Sequence, residues 1–317
     1  MHLIDLQKTF KTDDDCVEHL AKLRWPDGVR CVTCGTDKVK QYVSPTKKQP
    51  GRKIYQCQEP TCKEQFTATS GTIFHDTHLP LSKWFMALSL IVDAKKGISA
   101  KQLERHLGTG YKTAWYLAHR IRKAMEETGG APLSGIVEID ETYVGGKTIR
   151  KKDRGNRRYE MKDAVVGMVQ RGGELRLRHI GKGSATAAKV RPLVRELVSR
   201  DVDRVITDES TIYPFTFDGY CASKHETIAH KYEYVRGDVH TNTIESAFSL
   251  FKRGVMGSFH TVSIKHIQRY LHEFEYRFNR RKNVNRFEET LARMTQVQPM
   301  PFSALTAKAE PEAPSPA

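Results

Sequence analysis

The sequence predicts a multidomain α+β chain in which a small cysteine-rich module and a helical pair precede a mixed α/β core. Three observations carry this. Four of the six cysteines fall into two close pairs within the first 62 residues. Residues 81–123 then carry helical apolar spacing, and from residue 135 onward the pattern changes to the alternation of strands. With 317 residues the chain is long enough for two or three packed units. The expected boundaries are 1–75 for an N-terminal helix and the cysteine module, 79–127 for the helical pair, 134–296 for the core and 300–317 for a disordered tail.

The cysteine pairs are Cys31/Cys34, with a two-residue gap followed by Gly35, and Cys57/Cys62, with a four-residue gap. Two such knuckles at the tips of short hairpins form a closed tetrahedral site, so a structural Zn²⁺ held in a zinc ribbon is expected, with no position open for chemistry. Its strands would include Lys53–Gln56 and Gln65–Ala68, after a short helix over Cys16–Leu23. Cys16 and Cys221 have no close cysteine partner and are expected to act as small buried hydrophobes. His75 and His78 are expected to be surface or packing residues, because the four-cysteine set is already complete.

A buried helix over Leu81–Val92 ends at Lys95-Lys96-Gly97. Ser99 then caps a short helix through Leu107, with Gln102 three residues on. Gly108-Thr109-Gly110 turns the chain into a second helix, Tyr111–Lys123. Two short helices joined by a glycine-bearing turn, the second basic, make a helix-turn-helix, and its Lys112, Arg120, Arg122 and Lys123 edge is expected on DNA. An ordinary helical hairpin is the alternative. Thr128–Gly135 is small, Gly- and Pro-bearing, and reads as a linker.

In the core, strands are expected over Gly135–Val144, Asp163–Gln170, Glu174–Ile180 and Asp203–Asp208, with Gly172-Gly173 closing a hairpin. Helices are expected over Ala185–Val198, Thr243–Arg253 and Ser263–Arg281. That order implies a mixed sheet with helices packed on it. The end of the chain is rich in Pro, Ala and Glu and has no core residues.

Asp140 lies near the end of the first core strand and Asp208 at the end of the fourth, where sites gather in open mixed sheets. On the following helix Ile244, Phe248, Phe251 and Val255 form an apolar face, while Asn242, Glu245, Ser249 and Lys252 share another. Hard oxygen ligands on two strand ends and one helix suit Mg²⁺ or Mn²⁺, and two such ions can activate a water or 3′-hydroxyl against a phosphodiester. Lys252 would hold a phosphate as a point charge. Glu138, Glu141 and Glu209 flank the acids and are assigned supporting or surface positions.

Taken in order, Cys31-x-x-Cys34, Gly71-Thr-Ile-Phe74, Leu79-Pro-Leu-Ser-Lys-Trp84, Lys95-Lys-Gly-Ile-Ser99, Tyr111-Lys-Thr-Ala-Trp115, Glu138-Ile-Asp-Glu-Thr-Tyr-Val-Gly-Gly146 and His240-Thr-Asn-Thr-Ile-Glu245 resemble one family. These are bacterial insertion-sequence transposases that join a zinc ribbon and helix-turn-helix to a DDE core of RNase-H-like fold, akin to Merlin transposases. The resemblance runs from about Cys16 to Arg281. It implies that Asp140 and Asp208 are the first two metal-binding acids. Glu245 stands near the spacing of the third, and Lys252 follows where such enzymes often carry a basic residue. Some members are described with Asn as the third element, which Asn242 matches; Glu245 is favoured because a carboxylate binds Mg²⁺ better than an amide.

The resemblance further implies binding of terminal inverted repeats, metal-dependent cleavage, transfer of 3′-hydroxyl strands to target DNA, and at least a dimer on DNA. The alternatives are a catalytically silent zinc-ribbon regulator that only binds DNA and a metal nuclease that cuts without joining.

The net charge of +15 suits a polyanionic partner. Charges nearly cancel over residues 1–60, residues 147–200 carry much of the excess, and 201–245 is net acidic. The densest basic run, with Lys151, Lys152, Arg154, Arg157 and Arg158, follows the Asp140 strand and is expected to contact the DNA backbone. Arg277, Arg280, Arg281 and Lys282 are weaker candidates. No apolar run approaches the roughly 18 residues of a membrane span, and no signal peptide is apparent, so a cytoplasmic, nucleoid-associated protein without a membrane partner is expected.

Overall fold

A computed structural model describes residues 3–44, 52–127, 129–145, 162–229 and 235–307. It divides into two units, one of Met1–Ala94, Ile98–Met125 and Asn283–Ala317, the other of Lys95–Gly97 and Glu126–Lys282.

The first unit begins with α1 (Leu3–Thr9) and α2 (Asp13–Arg24). α2 starts three residues earlier than its apolar spacing indicates, because Asp13, Asp14 and Asp15 form its first turn. Thr12 and Asp15 cap it reciprocally, and negative charge there complements the helix dipole. Strands β1 (Val39–Val43), β2 (Lys53–Cys57) and β3 (Gln65–Phe66) form an antiparallel sheet in that order. The expected third strand shortens to two residues, and β1 was not anticipated. The ribbon's apolar core is small, with Cys31, Tyr55, Cys57 and Phe66 buried beside Trp25. Next come α3 (Leu81–Asp93), buried along most of its length, α4 (Ala100–Leu107) and α5 (Tyr111–Ala124). Ser99 caps α4 by accepting from the Gln102 amide at 3.1 Å, and Gly108 ends it in the left-handed conformation.

The second unit contains β4 (Ile136–Val144), β5 (Asp163–Gln170), β6 (Leu175–Lys182), α6 (Ala187–Leu197), β7 (Arg204–Asp208), α7 (Ile212–Phe217), β8 (His225–Ile228), α8 (Asn242–Gly254) and α9 (Ile267–Asn279). The sheet order is β6-β5-β4-β7-β8. The β6-β5-β4 pairs are antiparallel, and the β4-β7-β8 pairs are parallel. A three-stranded meander followed by two parallel strands, with helices on both faces, is the RNase-H-like arrangement. α6 and α7 cover one face through Val137, Ile139, Val190, Val194, Tyr213 and Phe217. α8 and α9 cover the other through Val165, Val169, Ile244, Phe248, Phe251 and Phe274. The apolar stripe expected on α8 thus faces the sheet, although Val255 falls in a π-helical turn (Val255–Phe259) that follows the helix. α7 and β8 were not anticipated, being too short to establish a period.

α9 also closes the open edge of the sheet. Asn279 accepts from the Leu175 amide and donates to its carbonyl, at 2.8 and 3.1 Å. Glu275 accepts from the Leu177 amide at 2.7 Å, and Gln268 accepts from the His179 amide at 2.8 Å. Side chains from one helix thereby satisfy the backbone groups that would otherwise template pairing with another strand.

Gly167 on β5 pairs with Asp140 across the ladder. A Cβ there would lie 2.7 Å from both Ile244 and Phe248, so glycine is what permits α8 to approach the strand. Gly167→Ala should push α8 away and destabilise the unit by about 1–3 kcal/mol, which thermal melts of the two proteins check.

The chain then returns to the first unit with α10 (Arg286–Met294) and α11 (Phe302–Thr306). Phe287, Leu291 and Met294 are buried, and Phe287 meets Phe85 edge-on at 6.1 Å. Tyr116 donates to the Met300 carbonyl, and Leu305 is buried. The core unit therefore ends at Lys282 rather than 296, and the segment expected to be a disordered tail from residue 300 begins with a packed helix. The physical reason is that the α10 stripe requires apolar partners on α2, α3 and α5, far away in sequence. Residues 308–317 lie outside the described residues.

Candidate functional site

Asp140 stands in the middle of the central strand β4 rather than near its end as expected, because β4 runs on to Val144 against β5, while Asp208 is the last position of its parallel neighbour β7, as expected. The β4–β7 register runs from Ile136 opposite Arg204 to Glu138 opposite Ile206. Continuing it brings Asp208 level with Asp140 and onto the same face. α8 packs on that face, and Asp140, Glu245, Ser249, Lys252 and Arg253 border one open groove with Phe248 and Met256. Burial first, then the charges of Glu141, Asp208 and Glu245, pushes the Asp140 carboxyl up to about 7. The charges of Asp208 and Glu245 thus both reach Asp140. Lys252 is within reach of Asp140, and Asn242 opens α8 on its exposed side.

The flanking acids separate. Glu209 is exposed. Glu141 points to the opposite face, where the buried Tyr213 hydroxyl donates to it at 2.6 Å; burial and the Asp208 charge raise its carboxyl. Glu138 is fully buried and accepts four hydrogen bonds from Arg171, Thr243 and Ile244. Sequence reasoning placed Glu138 on Asp140's strand face but did not give it partners. Arg171, Thr241 and Tyr213 were not singled out, and a residue type without its long-range neighbour offers no signal for them.

The four ribbon cysteines form the only group of three or more potential metal-ligating side chains among the described residues whose donor atoms all lie within 4.8 Å of one another. Cys31 and Cys62 sulfurs are 3.7 Å apart, and those of Cys34 and Cys57 are 3.6 Å apart. Four ligands at about 2.3 Å from Zn²⁺ require edges of about 3.8 Å, so the residues fit that ion. Burial raises the Cys31 thiol, but backbone N–H groups of Cys34 and Thr33 more than offset it and bring it to about 7; burial pushes Cys57 up to about 12. Four sulfurs this close cannot all carry charge without a cation. Neither His75 nor His78 joins the cluster. Cys16 is buried as expected, whereas Cys221 is only half-buried.

Two residues of the expected DNA-facing edge are corrected. Arg120 is 4% exposed and Arg122 is 2% exposed. Arg120 donates to the carbonyls of Ile73 and His75 and stacks on Trp84 at 4.8 Å, so its charge is spent inside the unit. What α4 and α5 expose instead is Lys101, Arg105, Tyr111, Lys112 and Thr113, at the α4 surface and the start of α5; Lys123 is half-buried. Lys151, Lys152, Arg154, Arg157 and Arg158 lie outside the described residues. Arg277 is buried and paired with Glu273, and Arg280 is paired with Glu127, which leaves these two poorly placed for phosphate. Arg281 and Lys282 are exposed. No helix among the described residues is long and apolar enough to cross a membrane.

Residues 132–279 match the ISXO2-like transposase domain, and residues 11–65 match the transposase zinc-ribbon domain. An uncharacterized protein in transposable element ISH50 of Halobacterium salinarum is 33% identical over 288 residues, covering 85% of this chain and 92% of that one. Among solved structures, a pre-cleavage Mos1 transpososome aligns at 14% identity over 66% of this chain and 78% of the other, with a TM-score of 0.25. A simian T-cell lymphotropic virus intasome in complex with PP2A regulatory subunit B56 gamma aligns at 15% identity over 69% and 74%, with a TM-score of 0.28.

Proposed function

Because the chain belongs to the ISXO2-like transposase family, we propose that it binds the terminal inverted repeats of an insertion sequence, cleaves the DNA at those ends and joins the exposed 3′-hydroxyls to target DNA. The observation that carries this is the convergence of Asp140, Asp208 and Glu245 on one face of the central strands. Their hard oxygen donors suit a divalent cation, and burial of Asp140, with the charges of Asp208 and Glu245 adding to it, raises its carboxyl in the way that a bound cation would relieve.

Asp140, Asp208 and Glu245 would hold two Mg²⁺ or Mn²⁺ ions, which when bound supply activation of the attacking hydroxyl and charge stabilisation of the leaving oxygen. The chain's own groups do the rest. Lys252, two helical turns after Glu245, holds a backbone phosphate beside the acids. Asn242, at the exposed start of the same helix, orients the strand from the other end. The exposed start of α5, with Tyr111, Lys112 and Thr113, is presented as a recognition helix presents its first turn to the major groove. The ribbon, with its nearly balanced charge, adds contacts of shape rather than bulk attraction. Joining two ends requires two copies of the site, hence at least a dimer on DNA.

Incubating the protein and Mn²⁺ with a supercoiled plasmid that carries the element's ends tests this. Nicks at the ends are expected. A gel shift without nicks would instead make the chain a DNA-binding regulator, and cuts that never yield joined product would make it a nuclease.

A further inference from the structure

The helix that carries Glu245 is not capped in the usual way. Thr241 stands at its N-cap, a position where threonine ordinarily accepts from the first-turn amides, yet it makes no side-chain cap bond. Its hydroxyl donates instead to Glu245 Oε1 at 2.8 Å. The amides of Thr243 and Ile244 donate to Glu138 Oε2 on β4, at 2.8 and 3.0 Å. Glu138 Oε1 accepts from the Thr243 hydroxyl at 2.9 Å and from Arg171 Nε at 2.7 Å. Arg171 also donates to the carbonyls of Asp238 and His240, at 2.6 and 2.9 Å, and its own amide is tied to the Ile136 carbonyl of β4 at 2.9 Å.

We infer that Glu138 is a positioning residue that caps α8 from the sheet, fixing the helix against the strand of Asp140 and leaving Thr241 to orient the third acid. The inference rests on the metal-site reading above and extends it to a residue two positions before Asp140 on the same strand face. A buried carboxylate at the positive end of α8 is electrostatically complementary to the helix. The network ties together four segments: β4, the turn after β5, the approach to α8, and α8 itself. The apolar face of α8 sets its distance from the sheet, and the Glu138 bonds fix its first turn, and with it Glu245, relative to the strand of Asp140. A rotation of α8 would have to break the Glu138 bonds before it could separate the acids. Residues that orient metal ligands in this way commonly change affinity by about tenfold to hundredfold when altered.

The test is Mn²⁺ binding to the full-length protein, followed by electron paramagnetic resonance, in the wild type, Glu138→Gln, Arg171→Lys and Asp140→Asn. Glutamine keeps the shape but loses the charge and half of the acceptor capacity. Lysine keeps the charge but cannot span Glu138 and the two carbonyls. Glu138→Gln should weaken Mn²⁺ binding about tenfold or more while end binding and far-UV spectrum stay as in the wild type, and Arg171→Lys should weaken it by a smaller factor. A loss of stability without a loss of Mn²⁺ affinity in the folded fraction would make Glu138 merely structural and overturn the inference. If Glu138→Gln does not fold, Arg171→Lys decides, and wild-type affinity there overturns it equally. If the wild type shows no Mn²⁺ site that Asp140→Asn removes, the metal-site reading fails first, and the inference fails with it.

Discussion

Asp140→Asn should abolish Mg²⁺-dependent cleavage and joining, by on the order of a thousandfold or more, while leaving end binding intact and making the metal-free protein more stable. The two effects have one cause. Burial and the charges of Glu141, Asp208 and Glu245 hold the Asp140 carboxyl at about 7, above its ordinary value. Below about pH 4 both folded and unfolded states are protonated there, and the group has no linkage effect. Between about 4 and 7 the folded state keeps a proton that the unfolded chain releases, so the stability of the metal-free protein falls as pH rises and levels off above about 7. A neutral asparagine removes that cost, and the melting temperature at pH 8 should rise by about 3–6 °C. For the same reason Mn²⁺ affinity of the wild type should increase as pH rises through about 7, because cation and proton compete for one carboxylate. Melts with and without Mn²⁺ at pH 5 and 8 check both signs. A destabilised Asp140→Asn variant would mean that the carboxylate is satisfied within the protein and not by a cation.

The second large effect belongs to the ribbon. Cys57 is fully buried in a cluster of only four buried residues, too few to hold a fold of this length without a crosslink. Cys57→Ser should reduce zinc from one ion per chain to near zero. It should unfold the ribbon and weaken end binding by about tenfold or more, since structural zinc supplies folding free energy directly. A chelator strong enough to strip zinc should do the same to the wild type. The second unit has its own apolar core on both faces of its sheet and should keep its spectrum. Wild-type protein with a zinc content near zero and an unchanged far-UV spectrum after chelation would refute the ribbon.

The placement of Asp140 and Glu245 was readable because each lies where a local rule has high contrast. Alternation from Ile136 puts Asp140 at a definite face of a strand, and the α8 spacing puts Glu245 and Lys252 on a face distinct from Ile244 and Phe248. The cysteine spacing was readable for the same reason, as the geometry is local. What failed was long-range. A basic edge at helical spacing looks the same whether it faces phosphate or, as with Arg120, stacks beneath Trp84 and donates to two carbonyls. Phe287, Leu291 and Met294 form an ordinary stripe, and nothing local says that its partners are Phe85 and the N-terminal helices. Glu138 shows the limit most clearly. Alternation assigns its face, but its partners lie on the turn after β5 and on α8.

In the proposed reaction the acids of β4, β7 and α8 carry out strand transfer on the element's own ends. An end-labelled duplex ending in the 3′-hydroxyl of the element terminus, incubated with the protein, target plasmid and Mg²⁺, tests this when the covalent joints are mapped by sequencing. Labelled ends joined to target through the 3′-oxygen are expected, lost together in Asp140→Asn and Asp208→Asn. Joining that persists in either variant, or binding of the duplex with no covalent product in the wild type, would overturn the proposal.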